Sequence, residues 1–202
     1  MGMISRLWSN RVINPVLTAM ERVNVRLRET LIYAIDPRTV DLAISKTVEG
    51  LDFLIATRPL ADWPLVISAS SQVPGPNERE DIWINAIKDD RVVGTLAICF
   101  RPYFVEETCL RVHFPGGYIF GYFVVEDLRG EGVGKSMLRK AIEIMVTREG
   151  GERLFALVDT KNTSSKSTFD ATGFRVEKRI SSLMVAGRGL HKTHDVRSQA
   201  NT

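Results

Sequence analysis

The spacing of apolar residues changes repeatedly along this chain, and each change predicts an element. Ile13, Leu17 and Met20 recur at helical intervals in a segment whose polar positions hold Arg6, Arg11, Arg22, Arg26 and Arg28. LIYAID, ending at Asp36, reads as a short strand, and Asp36-Pro37 then pairs an N-cap with proline at the first helical position. A helix is expected to follow, burying Ile44, Val48, Leu51 and Leu54. Pro59, Pro64, Pro74 and Pro76 make 56–80 a loop, with room for one short strand at LVISAS. IWINAIKDDRVVGTLAICF carries apolar runs on both sides of Lys88-Asp89-Asp90 and predicts a hairpin. After a mixed stretch from Arg101 to Gly117, YIFGYFVV is apolar throughout, a buried strand in which Gly121 marks a bulge or a close approach by another group. The rhythm then turns helical at Met137, Leu138, Ala141, Ile142 and Met145, with a stop at Gly150-Gly151. LFALV is a second interior strand, 162–172 a short helix, and FRVEKRISSLMV one or two closing strands. The polar residues beyond Gly187 read as a frayed tail.

This order describes a mixed alpha/beta domain in which a central sheet receives helices on both faces. It divides the chain into an Arg-rich extension, 1–30, a domain, 31–186, and a tail, 187–202. With 202 residues, 44% hydrophobic and 25% charged, the composition is that of an ordinary globular protein with one core. The net charge of +3 is too small to imply specific nucleic-acid binding. Cys99 and Cys109 have no metal-ligand spacing, no metal site is expected, and Cys99 within LAICF reads as a buried reduced thiol. Arg6, Asn10, Arg11 and Asn14 interrupt the apolar positions near the N-terminus, so no secretory core is seen and a cytoplasmic location is expected. The extension reads either as a contact with a partner or a membrane surface, or as a helix packed on the domain edge with solvated arginines; a homodimer is compatible with both.

LRGEGVGKSML, between the buried strand and the helix, is the segment with candidate chemistry. A nucleotide P-loop ending at Gly134-Lys135-Ser136 would need glycine where Arg129 stands. A dinucleotide fingerprint would need its third glycine at Lys135 or Met137. The pattern [RQ]-x-x-G-x-[GA] at a strand-to-helix junction is met by Arg129, Gly132 and Gly134. Bare amides at a helix N-terminus suit an anion, and glycines let it approach. Downstream, N-x-x-[SA]-x-x-x-[YF]-x-x-x-G-F is met by Asn162, Ser165, Phe169, Gly173 and Phe174. Asn162 alone would read equally well as an ordinary N-cap.

With both motifs in this order, the chain resembles the GNAT acyltransferase superfamily. The resemblance implies a mixed α+β fold whose central, mostly antiparallel twisted sheet contains a splayed parallel strand pair, with helices on both faces. It implies acetyl-CoA as co-substrate, its pyrophosphate held by Arg129, Gly130, Glu131, Gly132, Val133, Gly134 and Lys135. Tyr122, Phe123 and Val124 would run beside the pantetheine arm, with Asn162, Ser165 and Phe169 on the following helix. Many members carry tyrosine where this chain has Phe169, which has no proton to give. A departing thiol, with a pKa of about 8.5, needs less help than an amine nucleophile of pKa about 10, so the departure removes one role and not the reaction. Tyr118, Tyr122, Ser165 or water would take that role. For the base, the candidates are His113, Glu107 with its neighbour Glu106, and Asp159 at a strand end; Glu126 and Asp127 beside the loop would repel the ligand unless turned outward. The resemblance implies a small amine, an amino sugar or a protein amine as acceptor. The competing readings are a catalytically weak or inactive coenzyme-binding scaffold and, against the missing P-loop glycine, a nucleotide switch.

Overall fold

The computed structural model describes residues 25–41, 48–58, 60, 80–147, 152–185 and 188–196. Strand β1 (Val25–Ile35) is followed by β2 (Asp52–Ala56) and the hairpin β3 (Ile82–Lys88) and β4 (Arg91–Cys99). A small hairpin, β5 (Tyr103–Val105) and β6 (Leu110–Val112), precedes β7 (Gly116–Val124). Helix α1 (Val133–Thr147), β8 (Arg153–Asp159), α2 (Thr163–Ala171), β9 (Arg175–Val185) and β10 (Arg188–Asp195) complete the order.

The main sheet runs β10-β9-β1-β8-β7-β4-β3-β2. Its ladders are antiparallel except for β7 with β8, which α1 joins by the crossover a parallel pair requires. That pairing covers only Gly116 to Ile119 against Arg153 to Ala156. Beyond it the strands part, and the cause lies in β7. Thr95 pairs with Phe123 but Ala97 with Phe120, so an extra residue of β7 faces Leu96. Gly121 absorbs this bulge in the left-handed region at φ +56°, where a side chain would be strained.

On one face, Tyr33, Leu154 and Ala156 pack with Met137, Leu138, Ala141, Ile142 and Met145 of α1, the apolar stripe the spacing predicts. Phe169 of α2 and Phe174 join the same cluster. On the other face, Trp83, Tyr118 and Phe120 are covered by Tyr103 and Val112 of the β5–β6 hairpin. Helices were expected on both faces; among the described residues both α-helices share one, and the second is roofed by that hairpin instead. Its apolar residues are too few and too closely followed by turns for the sequence to have flagged a layer.

Several element boundaries differ from expectation. β1 begins at Val25, so the division at residue 30 falls inside a strand. The alternation VRLRET was masked by its arginines, which the strand tolerates because Arg26 and Leu27 remain exposed. Asp36 does cap, accepting from the Arg38 amide at 3.0 Å, but what it starts is a short 3-10 turn, Pro37–Thr39. Leu51 is buried, whereas Leu54 lies in β2 and is 47% exposed. Residues 188–195, expected to fray, are paired along their length with β9. Ile44, LVISAS, Gly150-Gly151 and residues 1–24 lie outside the described residues. Cys99 is fully buried, and burial together with nearby Asp81 pushes its thiol up to about 12, as a structural thiol requires.

Candidate active site

The parting of β7 from β8 joins two cavities on opposite faces of the sheet. The first, about 550 Å³, lies on the helix face. Tyr122, Phe123 and Val124 form one wall, Arg129, Gly130, Gly132, Gly134 and Lys135 a second, and Asn162 and Ser165 at the start of α2 a third. The second cavity, about 330 Å³, reaches the hairpin face and is walled by Tyr118, Phe120, Asp159, Thr30 and Arg28 beneath Tyr103 and Thr108. Tyr122, Asn162 and Ser165 border both.

The loop at the first cavity has the features of an anion cradle. Gly130 and Gly132 sit at φ +87° and +92°. Among the described residues, the amides of Gly132, Val133, Gly134 and Lys135 have no acceptor, and the first helical amide with a backbone bond is that of Ser136, to Gly132. The Val133 side chain is buried in the core, which pins the loop and leaves only its backbone to face a ligand. A Cβ at Gly134 would overlap the Tyr122 hydroxyl, so this helix start can approach β7 only as glycine. Arg129 folds back: its Nε donates to the Val124 carbonyl at 3.1 Å, and its guanidinium lies 5.7 Å from the Phe123 ring centre. Lys135 is exposed at the rim.

Acidic neighbours are drawn away from the cradle. Glu131 pairs with Lys88 at 3.5 Å, and Asp127 accepts from Arg91 at 2.7 Å. That bond from Arg91 holds the Asp127 carboxyl below its ordinary range. Glu131, expected among the phosphate-binding residues, therefore points its charge towards the β3–β4 turn, and only its backbone belongs to the loop. The free amides and helix dipole suit a diphosphate, so the residues present fit the pyrophosphate of coenzyme A.

Asn162 caps α2, its Oδ1 accepting from the Ser165 amide at 3.0 Å. Phe169 is buried among Tyr33, Tyr122 and Phe174, with ring centres 5.5, 5.9 and 4.9 Å away. Burial pushes the Tyr122 phenol well above its usual range, against a weaker opposing hydrogen bond from Thr168.

The candidate bases separate. Asp159 stands in the wall of the second cavity, its Oδ1 accepting from the Lys161 amide at 2.8 Å. His113 is exposed between β6 and β7 and belongs to the wall of neither cavity. Glu107 lies on the 3-10 turn Glu106–Thr108, and its side chain is outside the described residues.

The sequence model of the acetyltransferase (GNAT) family matches residues 58–174, more than half of the chain. The chain belongs to this family. Its members transfer acyl groups from acyl-CoA. Solved structures agree on the fold. A GNAT-family putative acetyltransferase from Novosphingobium aromaticivorans is 20% identical with a TM-score of 0.51, over 77% of this chain and 63% of that one. A functionally unknown conserved protein from Staphylococcus epidermidis is 12% identical with a TM-score of 0.54, over 88% and 69%. A GCN5-related N-acetyltransferase from Sphaerobacter thermophilus is 19% identical with a TM-score of 0.50, over 94% and 58%. The chain thus spans less than two thirds of the length of the first and third. Comparison with curated protein sequences finds no match.

The Arg129–Gly134 loop lines the first cavity and Asn162 and Ser165 border both, but Arg28, Thr30, Tyr103 and Thr108 of the second cavity were not legible in the sequence. They come from β1 and the small hairpin, and only strand pairing brings them together. No local pattern could have announced them. Among the described residues no helix is long and apolar enough to cross a membrane, and no cluster suits a metal ion.

Proposed function

We propose that this GNAT-family protein transfers an acetyl group from acetyl-CoA to an amine by direct attack on the thioester. The observation that carries the reading is the aperture between β7 and β8, with an anion cradle at one mouth and a separate cavity at the other. On this reading the amides of Gly132 to Lys135 hold the diphosphate, and the unpaired edge of β7 beyond Ile119 offers its backbone to the pantetheine arm. The acceptor enters from the hairpin face. Asp159 takes the proton of the attacking amine, directly or through one water. The thiolate leaves as the weaker base, and Ser165, one helical turn before Phe169, is the α2 hydroxyl that borders both cavities and would steady it. We place the reaction in the cytoplasm, where acyl-CoA is formed.

Calorimetric titration with coenzyme A, followed by thiol release from acetyl-CoA across a panel of amines, tests the proposal. Micromolar binding with amine-dependent release is expected, and absence of binding overturns it. Phe169, enclosed in an aromatic cluster, favours one alternative, a scaffold that binds the coenzyme without turning it over. Binding without release over the whole panel would select it.

A further inference from the structure

The second cavity carries a polarity that proton removal and thiolate departure do not use. Thr30 is paired with Asp159 across β1 and β8, so both point to the hairpin face, and Arg28, two residues along β1, points there too. At the strand rise of about 3.4 Å per residue, Arg28 stands roughly 7 Å beyond the level of Asp159. The cavity therefore has an anionic end beside the aperture and a cationic end further out. Between them the wall is aromatic: Tyr103 lies 5.2 Å from Tyr118 and 4.8 Å from Phe120, centre to centre.

Arg28 differs from the arginines that hold the fold together. Arg91 is paired with Asp127, Arg101 with Asp81 and Arg153 with Glu177. Arg28 has no such acidic partner among the described residues, and it is only half-buried, in the cavity wall. Its cross-strand neighbour is Ser182, buried and 3.0 Å from the Nδ1 of His191, so that row adds no negative charge. A planar fork of donors facing a cavity, with nothing acidic to occupy it, is a receptor for an anion from solution.

We propose that Arg28 anchors an anionic group on the acceptor, so that the acceptor is an amine bearing a carboxylate or a phosphate several bonds from the nitrogen. This rests on the transferase reading above, which places the acceptor in this cavity. The amine lies towards Asp159 and the aperture, the body against the tyrosines, and the anion on the guanidinium. A polyamine is disfavoured, because its second cation would face Arg28.

The test uses matched pairs of amines, an amino acid whose amine and carboxylate stand at opposite ends of a chain with its amide, and an amino sugar with its phosphate ester, at saturating acetyl-CoA with the full chain. The anionic member of at least one pair is expected to have the higher kcat/KM, and whether the carboxylate or the phosphate pair shows it names the source. In Arg28→Gln the preference for the anionic member should fall about 10- to 100-fold, the worth of a charge-assisted hydrogen bond, with the loss in KM rather than kcat. Arg28→Lys should recover part of it. If no amine turns over, calorimetry of the same pairs on the coenzyme-loaded protein gives the same comparison. Equal behaviour of both members, including no binding by either, overturns the proposal, as does an unchanged preference in Arg28→Gln. Failure of the wild-type protein to bind coenzyme A is read separately, since it removes the transferase reading itself.

Discussion

Gly134 and Asp159 show how differently two residues of one site can be encoded. Gly134 is required by contact: a methyl group there meets the Tyr122 hydroxyl. Helix propensity alone would favour alanine by about 1 kcal/mol, but overpacking a fixed neighbour costs about 1–3 kcal/mol. Gly134→Ala should therefore lose stability in thermal unfolding and weaken coenzyme A binding about tenfold by calorimetry, since the helix start must shift by roughly the length of a bond. The need for glycine here is local, between a strand and the helix it feeds, and a motif could record it. Asp159 is different. At the end of LFALV it was one carboxylate among several, and only the pairing of β8 with β1 sets it in the cavity wall. Asp159→Asn keeps an acceptor for the Lys161 amide and should leave the fold and the coenzyme affinity intact. It should lower kcat by about 10² to 10⁴, the usual worth of a general base, while an equal rate in wild type and variant would remove Asp159 from the mechanism.

Among the elements, those with strong internal pattern were legible and those made by pairing were not. The stripe of α1 is buried residue for residue as its spacing predicts, and the β3–β4 hairpin turns at Asp89-Asp90. Both turn residues have positive φ, +51° and +56°, the tight turn that asparagine and glycine serve best. Asp90→Gly should raise stability by up to about 1 kcal/mol by relieving a left-handed aspartate; a lower Tm would show that this backbone is not strained. Against these, RGLHKTHD has no buried apolar run, yet it forms β10 because β9 offers it an edge. The length of β1 was hidden for the same reason, as its first residues gain their ladder from β9 while remaining exposed.

At the scale of the molecule, β10 is a cover more than a support. Backbone hydrogen bonds return about 0.5–1.5 kcal/mol each, close to the entropy of about 1–2 kcal/mol per residue lost in ordering an exposed strand. A chain ending at Val185 should therefore melt within about 5 °C of the full one, but the bared edge of β9 should make it associate. Sedimentation or light scattering would register this, and a monomeric truncated chain would contradict it.

The bulge at Gly121 governs something larger than a kink. Deleting that one residue would restore a continuous ladder between β7 and β4, with Tyr122 and Val124 kept on the helix face they share with Leu96 and Gly94, and would straighten β7 back towards β8. The window in the sheet would then close, and the coenzyme and the amine would be left in separate rooms with every proposed catalytic side chain still present.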